Sequence, residues 1–359
     1  MRSETVQRLV VGAYTVPTDA PESDGTMAWD ATTMVVVEAH AGGATGLGYT
    51  YGDVAVAALV DSTLRGVAEG ADAMTPQATW AAMNRALRNA GQPGVGAMAV
   101  SAVDIALHDL RARLLGMPLA RALGPWRDSA PVYGSGGFTS YSLGRLQEQL
   151  GGWVADGLTH VKMKLGRDPA RDPRRLAVAR NAIGDAVLMV DANGAFGAKE
   201  AIRWAERYVE EWDVRWFEEP VSSADLEGLR RVRDASRLEV AAGEYAYVLA
   251  DFRNLIGSVD CLQADVTRCG GISGLLRVNG LASAHGLDIS GHCAPQLSAH
   301  ALCGVDRLRH LEYFHDHVRV ESMLFDGVLT PVDGALTPDR SRAGNGLELK
   351  RVDAQRWAA

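Results

Sequence analysis

The chain has 359 residues, of which 47% are hydrophobic and 22% charged, an ordinary balance for a folded globular protein. Its formal net charge is −8 and it has no conspicuous run of Lys and Arg, which argues against nucleic acid or an anionic membrane surface as a partner. No apolar stretch approaches the roughly 18 residues of a spanning helix, so no membrane segment is expected.

The cysteines and the start of the chain predict a cellular compartment. The four cysteines show neither C-x-x-C pairing nor the density of a disulfide framework, and we expect them to be buried thiols. Residues 1–11 lack the long apolar centre of a signal peptide. A reduced, cytoplasmic protein is the simplest interpretation.

The first 126 residues have the pattern of strands followed by helices, an α+β arrangement. Strands are predicted at 8–15 and 34–38, on either side of a polar, turn-rich stretch at 17–30. The glycine-rich run 46–52 has the wrong spacing for a G-x-G-x-x-G nucleotide loop, and we expect a tight turn there. Three helices are predicted, at 54–68, 75–90 and 98–115.

From residue 131 the pattern changes to alternation of strands and helices, which predicts a parallel barrel. Helical stretches such as 170–182 and 198–212 separate short apolar runs. After residue 312 the chain is punctuated by Gly and Pro, and we expect it to return to the first domain. The eight predicted strands are 131–133, 160–163, 187–190, 214–217, 238–242, 261–263, 287–290 and 309–311.

Charged or imidazole side chains follow the predicted strands at intervals of 20–27 residues. One strand, one helix and two short loops occupy about that much chain. Side chains at the carboxyl ends of parallel strands line the active site of a barrel enzyme. The positions are Lys162 and Lys164, Asp191, Glu218, Glu244, Asp265, His292 and Glu312.

Three of these positions predict a magnesium site. Asp191, Glu218 and Glu244 would end adjacent strands, and three converging carboxylates repel one another unless a cation lies between them. An all-oxygen set with no His or Cys in register favours Mg²⁺. The alternative is that these residues are helix N-caps on the loops, a role more common for Asp than for Glu.

The remaining positions are candidates for acid–base chemistry. Lys162 and Lys164 share one strand face, and we expect each ammonium group to lower the pKa of the other; a solvated strand face is the alternative. Asp265 could fix the tautomer of His292 and leave its other nitrogen as a base, although a lone His is usually just a satisfied polar group. A neutral Glu312 could donate a hydrogen bond to a developing oxyanion.

A metal with a base on either side suits removal of the proton next to a carboxylate. Lysine would lie on one wall and the His–Asp pair on nearly the opposite wall. The metal would stabilise the enediolate, and opposed bases permit retention, inversion or elimination.

These residues resemble the enolase superfamily and, within it, the mandelate racemase group. The resemblance covers the whole chain. Lys162-Met163-Lys164 resembles the family's K-x-K strand, and residues 101–110 with 115–119 resemble its capping-domain helix. The three metal-ligand motifs are matched by Asp191-Ala192-Asn193, Glu218-Glu219-Pro220 and Gly243-Glu244.

The resemblance implies a modified TIM barrel, (β/α)7β, with an α+β N-terminal capping domain. The implied domains are 1–126 (capping), 127–320 (barrel) and 321–359 (a segment returning to the capping domain). Asp265 stands where the muconate-lactonising and dipeptide-epimerase groups have lysine, which indicates the mandelate racemase group. Implied roles are metal ligation by Glu218 rather than Glu219, Lys164 and the His292–Asp265 dyad as bases, and Lys162 and Glu312 as catalytic or substrate contacts.

Substrate choice in the family depends on two capping loops, here 16–29 and 46–53. The first is polar, which favours a hydroxylated substrate, while Trp29, Tyr49 and Tyr51 could equally close over an apolar group. A solvated loop is the alternative. Asn193 resembles a substrate contact near the metal.

We therefore expect a small carboxylate substrate, either a sugar acid or a 2-hydroxy acid. The first hypothesis is Mg²⁺-dependent dehydration of an acid sugar to a 2-keto-3-deoxy acid. The second is racemisation or epimerisation of a 2-hydroxy acid. A metal-dependent hydrolase and a non-catalytic binding protein are the alternatives from other classes. The resemblance also implies a homo-oligomer.

Overall fold

The computed structural model describes residues 4–359, so the first three residues of the predicted capping domain lie outside the described residues. An antiparallel meander opens the chain, with strands β1 (Arg8–Ser23), β2 (Ala28–Ala41) and β3 (Ala44–Tyr51). The stretch 17–30 is therefore mostly strand rather than turn. The chain reverses only after Ser23, where Asp24 Oδ1 accepts hydrogen bonds from the backbone of Thr26 (2.7 Å) and Met27 (2.6 Å).

The expected glycine turn at 46–52 is wrong, because Gly46 and Gly48 lie inside β3. A Cβ added to Gly46 would lie 2.2 Å from the Ala106 carbonyl oxygen, and one on Gly48 would lie 2.3 Å from that of Ala102. The glycines therefore allow the long helix Val95–Leu114 to pack directly on the strand backbone.

The three helices predicted in this region are present. The first is a continuous segment with a π turn in its middle, and Pro76 begins the second at a position where its missing N–H costs nothing. The helical segments of this region are Ala55–Leu59, Val60–Leu64 (π), Arg65–Ala68, Pro76–Ala86, Val95–Leu114 and Leu119–Ala122.

Eight parallel strands form a closed barrel, and the predicted (β/α)7β fold is confirmed. They pair in sequence order and β11 closes the ring against β4. The strands are β4 (Ala130–Gly136), β5 (His160–Lys164), β6 (Val187–Asp191), β7 (Val214–Glu218), β8 (Glu239–Ala242), β9 (Cys261–Ala264), β10 (Asp288–Gly291) and β11 (Leu308–Phe314). The seven connecting helices are Leu143–Ala155, Asp172–Ile183, Ala198–Trp212, Leu226–Ala235, Leu249–Leu255, Gly271–Ala284 and Pro295–Leu302.

A buried apolar layer supports the polar end of the barrel. It comprises Tyr133, Met189, Trp216, Ala241 and Cys261, which come from five different strands. Met189 and Trp216 each stand two residues before a carboxylate on the same strand, so their side chains share its face. A tightly packed apolar layer therefore lies directly beneath the polar residues described below.

The end of the chain runs from the barrel back to the first sheet. Asn345 donates from its backbone to Asp109 (2.5 Å) and from its side chain to the Leu47 carbonyl (2.8 Å), and Ala359 donates to Ala13 (3.0 Å). The domain boundaries themselves stay a prediction. This part contains His315–Leu324, β12 (Phe325–Asp326), β13 (Ala335–Leu336), β14 (Glu348–Leu349), Arg351–Ala354 and the 3-10 turn Gln355–Trp357.

Among residues 4–359, none of the helices has both the length and the apolar character needed to cross a bilayer.

Candidate active site

Three buried carboxylates meet at the carboxyl ends of β6, β7 and β8. Each of Asp191, Glu218 and Glu244 offers an oxygen, and these atoms lie within 4.8 Å of one another. Parallel register sets Asp191 beside Glu218. Glu244 follows Gly243, whose φ of +142° and whose distance of 2.1 Å from an added Cβ to the Gln263 carbonyl both require glycine.

Both lysines of β5 reach these carboxylates. Lys162 Nζ lies 2.5 Å from Glu218 and 2.8 Å from Glu312, and Lys164 Nζ bonds to Asp191. Burial alone would lower the pKa of Lys164, but Asp191 raises it above the ordinary value and outweighs repulsion from Lys162. Burial would also lower the pKa of Lys162, but Glu218 and Glu312 outweigh that effect and raise it. Lys162 does lower the pKa of Lys164, as expected, but the carboxylates outweigh this effect and the net pKa of each lysine is raised.

The cluster has the chemistry of a cation site. Burial and the neighbouring Asp191 raise the pKa of Glu218 to about 8, as expected where carboxylates are packed together, whereas His292 lowers the pKa of Glu244 despite its burial. Two oxygens beside the cluster, Asn193 Oδ1 and Glu219 Oε1, are buried without a hydrogen-bond partner. Carboxylate and amide oxygens are donors that Mg²⁺ accepts, so the residues present fit that ion.

His292 and Asp265 form a hydrogen-bonded pair at the ends of β10 and β9. His292 Nδ1 lies 2.8 Å from Asp265 Oδ2, while the backbone N–H and the hydroxyl of Thr267 each donate to Asp265 Oδ1 at 2.7 Å. The carboxylate is thereby fixed in rotation. The other imidazole nitrogen, Nε2, lies 3.1 Å from Glu244 and so faces the metal cluster.

The surroundings of Glu312 favour its ionised form over the neutral acid that the sequence leads us to expect. Burial would raise its pKa, but Lys162 and His292 hold the pKa well below its ordinary range. Ser135 also donates to Glu312 Oε1 at 2.6 Å. A carboxylate with an ammonium group at 2.8 Å keeps its charge, so it orients Lys162 rather than donating a proton.

Sequence reasoning assigned no role to several residues that touch the site. Trp216 donates to Glu218 (3.1 Å), and its place two residues earlier on the strand could have revealed it. Arg268 donates to the Glu244 carbonyl at 3.0 Å. Cys293 Sγ lies 3.3 Å from both His292 Nε2 and Glu312 Oε2. All four cysteines are buried, as predicted, but this one also contacts the candidate base.

The substrate-binding candidates are not all gathered at the cluster. Trp29 donates to Glu22 (2.9 Å) and lines a cavity of about 730 Å³ that also holds Arg167 and Arg171 but none of the metal or base candidates. Tyr51 stacks on the His317 ring with centroids 3.4 Å apart and is buried between capping sheet and barrel. Its segment is strand, not a capping loop.

The β1–β2 hairpin does cover the barrel mouth. A Cβ on Gly25 at its tip would lie 2.2 Å from the Ala192 carbonyl oxygen and 2.8 Å from that of Leu165, so hairpin and barrel backbones touch. Its polar groups mostly bond to protein: Ser23 pairs with Thr139 at 2.6 Å. Glu22 Oε1 is an exception, being buried and unpaired.

Comparison with known proteins identifies the family. A barrel with an acidic cluster that fits a metal ion, between titratable side chains, has the architecture of an enzyme. The family model "Mandelate racemase / muconate lactonizing enzyme, N-terminal domain" matches residues 10–124, and "Enolase C-terminal domain-like" matches residues 145–354. The chain belongs to the enolase superfamily, in its mandelate racemase group.

The chain is similar over almost its whole length to the following three proteins. A mandelate racemase/muconate lactonizing enzyme-like protein from Rubrobacter xylanophilus is 62% identical with a TM-score of 0.98, covering 99% of this chain and 100% of its own. A 3,6-anhydro-alpha-L-galactonate cycloisomerase from Streptomyces coelicolor is 34% identical over 97% of this chain and 98% of its own. The structure of an L-talarate/galactarate dehydratase from Salmonella typhimurium, liganded with Mg and L-lyxarohydroxamate, is 28% identical with a TM-score of 0.92. The match covers 100% of this chain and 94% of that protein's chain.

Proposed function

We propose that this enzyme removes the α-proton of an acid sugar with the help of Mg²⁺ and then eliminates water, forming a 2-keto-3-deoxy acid. The observation that carries the proposal is the placement of two titratable groups around one carboxylate cluster. Lys164 bonds to Asp191 on one side, and His292 Nε2 lies 3.1 Å from Glu244 on the other. A substrate carboxylate at the cluster would present its α-carbon between them.

We assign the metal to Asp191, Glu218 and Glu244. When bound, Mg²⁺ supplies positive charge that stabilises the substrate carboxylate as negative charge moves onto it. Asn193, whose side-chain oxygen is unpaired, and Lys162 are assigned to contact the substrate near the metal.

Each of the two bases serves the face of the substrate that lies toward it. A cation held by Asp191 would offset the negative charge that raises the pKa of Lys164. Lys164 or His292 then takes the α-proton, according to the configuration at that carbon, and leaves an enediolate. Asp265 accepts a hydrogen bond from Nδ1, so Nε2 is the atom that gives up its proton and then accepts one from the substrate. Once protonated, Nε2 can donate that proton to a departing 3-hydroxyl. Glu312, ionised and bonded to Lys162, holds that ammonium group in place.

Ring-opening elimination is the second candidate. The 34% identity to a cycloisomerase of an anhydro sugar acid extends over nearly the full length of both chains, which favours it. An ether oxygen on the β-carbon can depart in the same way as a hydroxyl, with the same base and the same acid. Racemisation of a 2-hydroxy acid needs only the proton transfers, and it remains the alternative for a substrate without a β leaving group.

Other classes receive less support from the residues. A hydrolase would need His-rich ligation or a second metal in the all-carboxylate cluster. A non-catalytic binding protein is expected to have lost a base or a ligand, whereas Lys164, His292 and the three carboxylates are all in place. Loss of turnover in Lys164→Ala and in His292→Asn, with Mg²⁺ still bound, would exclude the binding protein. Retained turnover in both would exclude our proposal.

Proton NMR in D₂O tests the reaction directly. The protein with Mg²⁺ is incubated with aldonates, aldarates, a 3,6-anhydro sugar acid and simple 2-hydroxy acids. A 2-keto-3-deoxy product is expected from one of the sugar acids. Deuterium entering the α-position without elimination would instead indicate a racemase or epimerase. Absence of exchange from the whole panel would contradict proton abstraction from these substrates.

A cytoplasmic location and assembly into a homo-oligomer stay predictions. Sedimentation of the purified protein would test the second.

A further inference from the structure

Cys293 brings a thiol to the proposed base. Its Sγ lies 3.3 Å from His292 Nε2 and 3.3 Å from Glu312 Oε2, and those two atoms are 3.5 Å apart. The backbone N–H of Cys293 also donates to Glu312 Oε2 at 3.2 Å. Imidazole nitrogen, sulfur and carboxylate oxygen therefore form a compact triangle of three buried donor atoms.

The triangle has the size of one face of a tetrahedral zinc site. With Zn–S of about 2.3 Å, Zn–N of about 2.0 Å and Zn–O of about 2.1 Å, ligand atoms in tetrahedral geometry stand roughly 3.3–3.6 Å apart. The measured separations of 3.3, 3.3 and 3.5 Å agree with that range. A zinc ion on this face would need little movement of the side chains, and its fourth position would face away from the triangle.

The donors also separate this triangle from the magnesium cluster. Asp191, Glu218 and Glu244 offer only oxygen, which suits a hard cation, whereas thiolate and imidazole prefer zinc. The carboxylate ligand is already fixed, because Ser135 and Lys162 hold Glu312 Oε1 at 2.6 and 2.8 Å and leave Oε2 turned toward the thiol.

We propose that His292, Cys293 and Glu312 form a second metal site, which takes Zn²⁺ and thereby removes His292 from catalysis. The ion bonds to Nε2, the atom that would otherwise accept the substrate proton. Binding releases the Cys293 thiol proton, and the Nε2 proton if one is present, to solvent. Zinc binding is independent of the proposed reaction, whereas inhibition rests on the proposed role of His292 as a base.

Three features of the site oppose zinc binding and set the affinity. Burial and Glu312 raise the pKa of the Cys293 thiol, Cys293 and Glu244 raise the pKa of His292 despite its burial, and the Lys162 ammonium group lies against Glu312. Zinc overcomes the raised pKa of the Cys293 thiol because a coordinating thiol is deprotonated by the charge of the metal itself. We therefore expect the site to bind more tightly as pH rises, since protons compete with the metal.

Metal analysis after equilibrium dialysis tests the site. Full-length protein is dialysed against Zn²⁺ with Mg²⁺ in excess, and cobalt substitution is followed by the thiolate charge-transfer absorption. The wild type and Asp191→Asn, which disables the carboxylate cluster, are each expected to bind one zinc that Cys293→Ala and Cys293→Ser lose. Cys303→Ser, at a buried cysteine outside the triangle, is the matched control and should keep it.

Equal zinc binding in the wild type and in both Cys293 variants, or cobalt bound without the thiolate absorption, would overturn the proposal. The α-proton exchange assay then separates the two claims. Zinc bound in the wild type with exchange at the His292 face abolished supports both. Zinc bound through Cys293 with that exchange unaffected keeps the metal site and contradicts His292 as the base.

Discussion

Replacing Asp265 by Asn changes one atom and should reverse the tautomer of His292. Both Thr267 donors point at Asp265 Oδ1, each at 2.7 Å. An amide in that position turns its oxygen toward Thr267, so its NH₂ group faces His292 Nδ1, 2.8 Å away. Nδ1 must then accept a hydrogen bond, which moves the imidazole proton to Nε2 and leaves that atom unable to accept a proton from the substrate.

The expected loss of proton-exchange rate is large because His292 is present but carries its proton on the wrong nitrogen. The equivalent change in Ser-His-Asp enzymes lowers kcat by about 10⁴. Here we expect proton exchange at the His292 face to fall by about 10³–10⁴, or roughly 4–5.5 kcal/mol of barrier. Exchange at the Lys164 face should fall far less, because Lys164 bonds to Asp191 and not to the dyad.

Deuterium incorporation from D₂O, measured by NMR for each epimer of a substrate, gives the two rates separately. Mg²⁺ titration by calorimetry and a thermal melt serve as controls, since the metal ligands and the fold should be unchanged. Wild-type exchange at the His292 face in Asp265→Asn would refute the reasoning.

Three further predictions concern the metal, the hairpin and pH. Glu218→Gln should weaken Mg²⁺ binding by more than about 100-fold in calorimetry, since even outer-shell changes can cost that much; unchanged affinity would contradict the assignment. Gly25→Ala should lower the free energy of unfolding in urea by about 1–3 kcal/mol through its clash with the Ala192 carbonyl, whereas Gly66→Ala, in open space, should not. Burial raises the pKa of Glu321 to about 8, so the folded state retains a proton that the unfolded state loses above about pH 4.5. The wild type should therefore lose about 2 kcal/mol between pH 6 and pH 8 relative to Glu321→Gln, and parallel pH profiles would contradict this.

The barrel was predictable because its signals are local. Several strands are short apolar runs with a polar residue at or just after their end, as at Asp191 and Glu218, and the β/α repeat places those ends on one rim. Parallel register then brings the carboxylates together without further information from the sequence. The resemblance added the family, which the comparisons confirm.

The features that the sequence did not predict depend on contacts between distant parts of the chain. Glycine at 46 and 48 indicates a turn in isolation, but here it serves the approach of a helix more than 50 residues later. The charge of Glu312 is set by Lys162, 150 residues earlier in the sequence, and the pKa of each lysine by carboxylates on other strands. Cys293 looks like a small apolar residue until the fold places Glu312 beside it.

The central claim is that two bases serve opposite faces of one substrate carbon. The most direct measurement follows α-deuterium incorporation from D₂O into both epimers of the best substrate, with Mg²⁺, for Lys164→Ala and His292→Asn. Each variant is expected to lose exchange with one epimer and to keep it with the other, and the epimer that is lost should differ between the two variants. Equal loss of both epimers in both variants, or no loss in either, would contradict the account.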